Sequence, residues 1–149
     1  MSPLCTPVAG RVERGTAPDG TTRVSMTVGS DEPVFPGHYP GFPIFPGVCV
    51  IEFLHRGALA AAPEPDRTWV LSGIESARFM NPVFPGDALT ADLTWRHDGA
   101  SGRCSASVTG PRGTVARIAL RFEDFGDFEG FGDFEHFGGS EHSEDEGAR

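Results

Sequence analysis

Residues 46–63, PGVCVIEFLHRGALAAAP, are the one stretch of this chain that reads convincingly as a helix. Pro46 suits the first helical turn, where its missing N–H costs little, and Pro63 stops the run. The apolar residues Val48, Cys49, Val50, Ile51, Phe53, Leu54 and Ala58 to Ala62 surround most of the axis, and a helix of that kind is expected to be buried. One buried helix among β segments has few ways to cover itself. The simplest is an α+β layer arrangement, a curved antiparallel sheet wrapped around a single central helix.

The flanking sequence supplies the strands. Residues 6–14 and 21–29 read as two strands joined by the turn-forming APDG. In TTRVSMTVG, Val24, Met26 and Val28 alternate with polar residues, as a half-buried strand requires. A Pro- and Gly-rich loop follows from Ser30 to Phe45. Residues 68–79, 88–97, 103–110 and 114–123 are further strands, divided by NPVFPGD, HDGASG and GPRG. A single sheet over a single helix leaves a strand edge free, and pairing that edge with a second copy would cover it.

Charge divides the chain in two. Residues 1–122 hold eleven acids and eleven arginines, whereas Glu123 onward carries ten acids and one base, Arg149. There is no lysine. No basic stripe points to nucleic acid, and no apolar run approaches the roughly 20 residues a membrane-spanning helix needs. The start, MSPLCTPVAG, lacks the basic-then-apolar pattern of a signal peptide. Cys5, Cys49 and Cys104 are scattered and without metal-ligand spacing, the pattern of reduced thiols in a cytoplasm, and Cys49 is expected in the core. The division is therefore a domain over 1–123 and an acidic Phe/Gly-rich tail over 124–149. In the tail Phe125, Phe128, Phe131, Phe134 and Phe137 recur every third residue among glycines and acids, a composition that argues for disorder. The tail is either a solvated appendage or a motif that docks a partner or folds back on the arginines of the body.

Two residues carry potential chemistry. His38 sits in PGHYPG, outside any apolar face, where it could simply bond its own turn. Glu52 falls inside the apolar helix, where a carboxyl is costly unless neutral or paired, and both His55 and Arg56 are within reach along the helix. Taken together, a histidine near neutrality can remove a carbon-bound proton, and a carboxyl held protonated by burial can protonate a departing hydroxyl. Gly47 begins the helix, where unpaired amides favour developing negative charge, so a thioester oxygen placed there would be stabilised as an enolate forms.

HYPGFPIFPGVCVIE closely resembles the signature of the β-hydroxyacyl-(acyl carrier protein) dehydratases, with His38, Tyr39, Pro40, Gly41, Pro43, Pro46, Gly47, Val48 and Glu52 at matching spacings. GIESARFMNPVFPGD resembles a second family block through Arg78, Phe79, Pro82, Val83, Pro85, Gly86 and Asp87, and DEPVFPGH resembles the approach to the histidine. The resemblance covers residues 30–122. It implies a hotdog fold, a dimer with sites at the interface, and dehydration of a 3-hydroxyacyl thioester to the trans-2-enoyl thioester in fatty-acid or polyketide/polyene synthesis. It implies His38 as base, Glu52 of the other subunit as acid, Gly47 as thioester-carbonyl donor, and Tyr39, Phe45 and Val48 at the acyl tunnel. It implies no metal or redox cofactor, because the substrate arrives on the phosphopantetheine of a carrier protein. Exposed arginines such as Arg78 and Arg121 are expected to receive that acidic carrier. The assembly expected is a homodimer, a heterodimer with a related hotdog subunit, or a trimer of dimers.

The chain departs from the family in FLHR, residues 53–56, where AMAQ is usual, so Arg56 stands at a customary glutamine. Arg56 either pairs with Glu52 and weakens it as an acid, or points to an interface. The N-terminal lead-in and the tail also differ, which leans the expectation toward a specialised relative. The alternatives are a non-catalytic subunit or carrier-binding module of the same fold and, ranked lower, an acyl thioesterase.

Overall fold

The computed structural model describes residues 8–37 and 41–126. His38, Tyr39, Pro40, Cys5 and the tail from Asp127 lie outside the described residues. The elements run β1 (Glu13–Thr16), β2 (Thr22–Thr27), a 3₁₀ turn (Phe35–Gly37), α1 (Gly47–Ala60), β3 (Trp69–Phe79), β4 (Ala88–Asp98), β5 (Ser101–Gly110) and β6 (Gly113–Asp124). The strands form one antiparallel sheet in the order β1-β2-β4-β5-β6-β3.

Alternation along β4, β5 and β6 sets the two faces of this sheet. Leu89, Ala91 and Leu93, then Cys104, Ala106 and Val108, then Ala116, Ile118, Leu120 and Phe122 point inward and are buried. α1 lies against them through Cys49, Val50, Phe53, Leu54, Gly57 and Ala58, a stripe recurring at the helical period. The helix is thus buried on one face, not nearly all round: Val48 is 63% exposed and Leu59 40%. Its far end is pinned by indole donors, Trp95 Nε1 to Ala58 O and Trp69 Nε1 to Pro63 O, each at 3.1 Å. The two indoles pack at 5.5 Å between centroids, and Trp95 continues onto Phe122 at 4.9 Å.

The first strand is shorter and later than the sequence pattern over 6–14 indicates. β1 begins at Glu13 because the Ala9 and Gly10 amides are engaged elsewhere. Both donate to the carboxylate of Glu32, at 2.7 to 3.3 Å, and Glu32 is 2% exposed. A buried carboxylate saturated by backbone amides takes the place of a strand ladder there.

Candidate active site

The two sequence blocks that resemble the dehydratases meet in space at the start of α1. Phe45 is buried and donates its amide to Val83 O at 2.8 Å, joining the loop before the helix to the turn after β3. That turn is held by Asp87, whose Oδ2 accepts from the Phe84 amide at 2.9 Å and from the Arg112 guanidinium. Gly86, at φ +92°, donates its amide to Val28 O, and Val28 donates back to Asp87 O, so the turn is also tied to the end of β2. The Pro-Gly-Asp sequence therefore has a clear structural role: glycine for the left-handed backbone and aspartate for the amides and arginine around it.

At the helix start Pro46 occupies the N-cap position and no side chain caps the turn. Cys49 and Val50 donate to Pro46 O, whereas the Gly47 amide has no acceptor among the described residues. Phe79, the last residue of β3, lies so close that a Cβ on Gly47 would stand 2.9 Å from its ring. Only glycine permits that approach without displacing the ring. Gly47 and Phe79 open onto a hollow of about 430 Å³, lined also by Phe45, Val50, Met80 and Val83. An unpaired amide at a helix N-terminus beside an apolar hollow can polarise a carbonyl whose acyl chain lies in that hollow.

Of the residues the resemblance assigns to the tunnel, Phe45 lines this hollow, as does Gly47, the expected carbonyl donor. Val48 is 63% exposed and does not line the hollow in the single chain, whereas Val50 does. Val50, Met80 and Val115 also line the hollow without having been singled out from the sequence. The signal for Val50 was available in the helical period, since it lies three residues beyond Gly47 and so on the same side.

Glu52 lies on the outward side of α1. Its side chain is 26% exposed in the single chain, and its Oε1 is 3.4 Å from His55 Nδ1. Arg56 is directed elsewhere, donating from Nη1 to Val8 O at 2.9 Å. Of the two readings of Arg56, the one in which it locks the Glu52 carboxyl finds no ion pair between them among the described residues. Cys49 is buried as expected, and burial, followed by the Glu32 and Glu52 carboxylates, pushes its thiol up to about 11. Arg78 and Arg121 are exposed on the outer sheet face. The described residues hold no cluster of three or more groups that could bind a metal ion. None of their helices is long and apolar enough to cross a membrane.

A six-stranded antiparallel sheet curved over one helix defines the hotdog class. Solved structures share it: the dehydratase heterocomplex ApeI:P from Xenorhabdus doucetiae matches with TM-score 0.60 at 20% identity, over 79% of this chain and 99% of that one. The acetyl-CoA-bound smu.793 from Streptococcus mutans matches with TM-score 0.63 at 16% identity, over 80% of this chain and 92% of that one. At such identities the likeness concerns the fold. Residues 15–115 match the model of the ApeI-like family, described as ApeI dehydratase, and the chain belongs to that family. It is also 46% identical over 70 residues to the 3-hydroxyacyl-[acyl-carrier-protein] dehydratase FabZ of Symbiobacterium thermophilum, covering 44% of this chain and 49% of that protein. The FabZ of Aeromonas hydrophila is 39% identical over 79 residues, covering 49% of this chain and 52% of that protein. The chain thus spans about half the length of the curated relatives it matches.

Proposed function

We propose that the chain dehydrates a 3-hydroxyacyl thioester borne on an acyl carrier protein, giving the trans-2-enoyl thioester and water. The observation that carries this reading is the uncapped Gly47 amide opening onto an apolar hollow, on the helix that bears Glu52. Membership of a dehydratase family and the FabZ matches support the same chemistry. In this reading the substrate carbonyl accepts from Gly47 N–H, which favours the enolate as His38 removes the C2 proton. The C3–O bond then breaks as Glu52 delivers its proton to the hydroxyl, which leaves as water. Two protons move and no electron is exchanged with a cofactor, so neither a metal nor a redox group has a step to perform. Phosphopantetheine belongs to the carrier, and exposed Arg78 and Arg121 help receive it. Tyr39 joins Phe45 at the tunnel.

A site shared between two copies would supply what a single chain leaves incomplete. The outward side of α1 carries Glu52 among exposed Val48 and Leu59, and the edge strand β3 exposes Val70, Ile74 and Phe79. Covering both surfaces with a second hotdog subunit would place Glu52 in the dry setting a general acid needs. The working domain is residues 1–123, with 124–149 as an appendage.

His38→Ala and Glu52→Gln are each expected to lower turnover of a 3-hydroxyacyl carrier protein by about 10²- to 10⁴-fold with the assembly intact. The readout is product mass: loss of water marks the dehydratase, and loss of the acyl group would mark a thioesterase instead. Near wild-type turnover in either variant would remove the dyad. A second reading, a subunit active only beside a related hotdog partner, is favoured by the heterocomplex among the structural relatives. Its mark is a pure chain that is inactive alone and gains activity with such a partner.

A further inference from the structure

Glu52 has a long, rotamer-rich side chain on the outward side of α1, so its carboxyl needs a partner to hold one position. Among the described residues that partner is His55. The two lie on the same face of the helix, at i and i+3, with Nδ1 of His55 3.4 Å from Oε1 of Glu52. The imidazole is itself fixed. Its ring packs on Phe122 of β6 at 6.0 Å between centroids, with the planes 36° apart. Phe122 is fully buried and packs in turn on Trp95, whose indole is tied to the helix through Ala58 O. An aromatic row thus runs from the core of the sheet to the carboxyl. Arg56, the other cation within reach along the helix, is engaged by Val8 O at 2.9 Å and does not compete. His55 belongs to FLHR, the segment in which the chain departs from the signature it otherwise resembles.

We infer that His55 is a positioning residue for Glu52: its Nδ1–H donates to one carboxyl oxygen and leaves the other to carry and deliver the acidic proton. The inference rests on Glu52 being the acid of the proposed dehydration. A protonated carboxyl has one oxygen that only accepts and one hydroxyl that donates. With Oε1 held by the imidazole, the proton stands on Oε2, the oxygen without a hydrogen-bond partner among the described residues. The opposite polarity, with Glu52 donating to Nδ1, would turn that proton toward the helix and away from any substrate. As the proton passes from Oε2 to the departing hydroxyl, negative charge is left on the carboxylate. The bond from Nδ1–H then becomes charge-assisted, roughly twice as strong as a neutral one. That gain falls in the transition state, so it acts on kcat and leaves substrate binding nearly untouched. His55 keeps its own proton throughout, and no covalent bond to it forms or breaks. At 3.4 Å the contact is long, as catalytic hydrogen bonds often are before substrate binds.

The test combines turnover of a 3-hydroxyacyl carrier protein with nitrogen-15 NMR of the imidazole, both on the full chain. His55→Ala should lower kcat about tenfold while KM stays within about twofold, the mark of a hydrogen bond to a charge that develops in the transition state. His55→Asn places an amide N–H close to where Nδ1 stood and should recover kcat to within about threefold of wild type. NMR should find Nδ1 protonated at about pH 8, above the usual imidazole value of roughly 6.5. Glu52→Ala should return the ring to the Nε2–H form that free histidine prefers. Unchanged kcat in His55→Ala, a loss confined to KM, asparagine no better than alanine, or a bare Nδ1 in the wild type would overturn the inference. Its failure and that of the dehydratase reading are separable. Enoyl product from a chain indifferent to His55 would leave dehydration standing and remove this role. No enoyl product, alone or beside a related hotdog partner, would remove dehydration and this role with it, even with Nδ1 protonated against Glu52.

Discussion

Two buried carboxylates, Glu32 and Asp87, hold the loops that shape the candidate site, and neither is a candidate for its chemistry. Each is satisfied: Glu32 by the Ala9 and Gly10 amides, Asp87 by the Phe84 amide and Arg112. Two buried thiols give a pH signature at this scale. Burial, with the Glu32 and Glu52 carboxylates adding to it, holds Cys49 at about 11, and burial holds Cys104 at about 12, against an ordinary value of 9.0. A thiol raised on folding binds its proton more tightly in the native state. Its contribution is therefore fully present below pH 9 and is lost as pH rises through 11 to 12. Denaturant unfolding at pH 8 and 10.5 should show lower stability at the higher pH, and Cys49→Ala should flatten that difference. An unchanged pH dependence in Cys49→Ala would show that this thiol does not titrate on unfolding.

At the scale of elements, α1 sits close to the sheet because glycine stands at the crossing with β2. A Cβ on Gly57 would lie 2.6 Å from Val24 Cγ2. Alanine would gain up to about 1 kcal/mol in helix propensity, while overpacking against a stiff β-branched side chain costs about 1–3 kcal/mol. The clash wins, so Gly57→Ala should lower unfolding free energy by about 1 kcal/mol, as measured by urea titration. A stabilised variant would mean that β2 yields freely. The helix and β3 to β6 were legible in the sequence because period and turn residues agreed along those segments. Within the segment read as a strand over 6–14, Ala9 and Gly10 misled because their amides pair with a side chain more than twenty positions away, which no local pattern encodes. The buried stripe of α1 was obscured by Val48 and Leu59, apolar residues that the single chain leaves exposed. Gly47 and Phe45 were legible through motif spacing, whereas Met80 and Val115 reach the hollow by tertiary placement alone.

For the whole molecule, β3 forms one edge of the sheet and β1 the other, and β3 carries register shifts between Leu71 and Gly73 and between Ile74 and Ser76. Irregularities of that kind are common on edges, yet this one still presents Ile74 at 51% exposure. If the edge joins a second copy, Ile74→Lys should halve the mass seen by light scattering, since lysine is a usual guard against strand pairing. An unchanged mass would place self-association elsewhere. Phe79 gives this edge a second importance. Its ring abuts Gly47 at the mouth of the hollow, and it is also 46% exposed at the end of the edge strand. One aromatic side chain thus belongs to both the wall of the hollow and the outer rim. Any neighbour that nudges β3 would shift the wall of the hollow with it, so on the proposed function turnover should track protein concentration on dilution even where the chemical groups themselves are untouched.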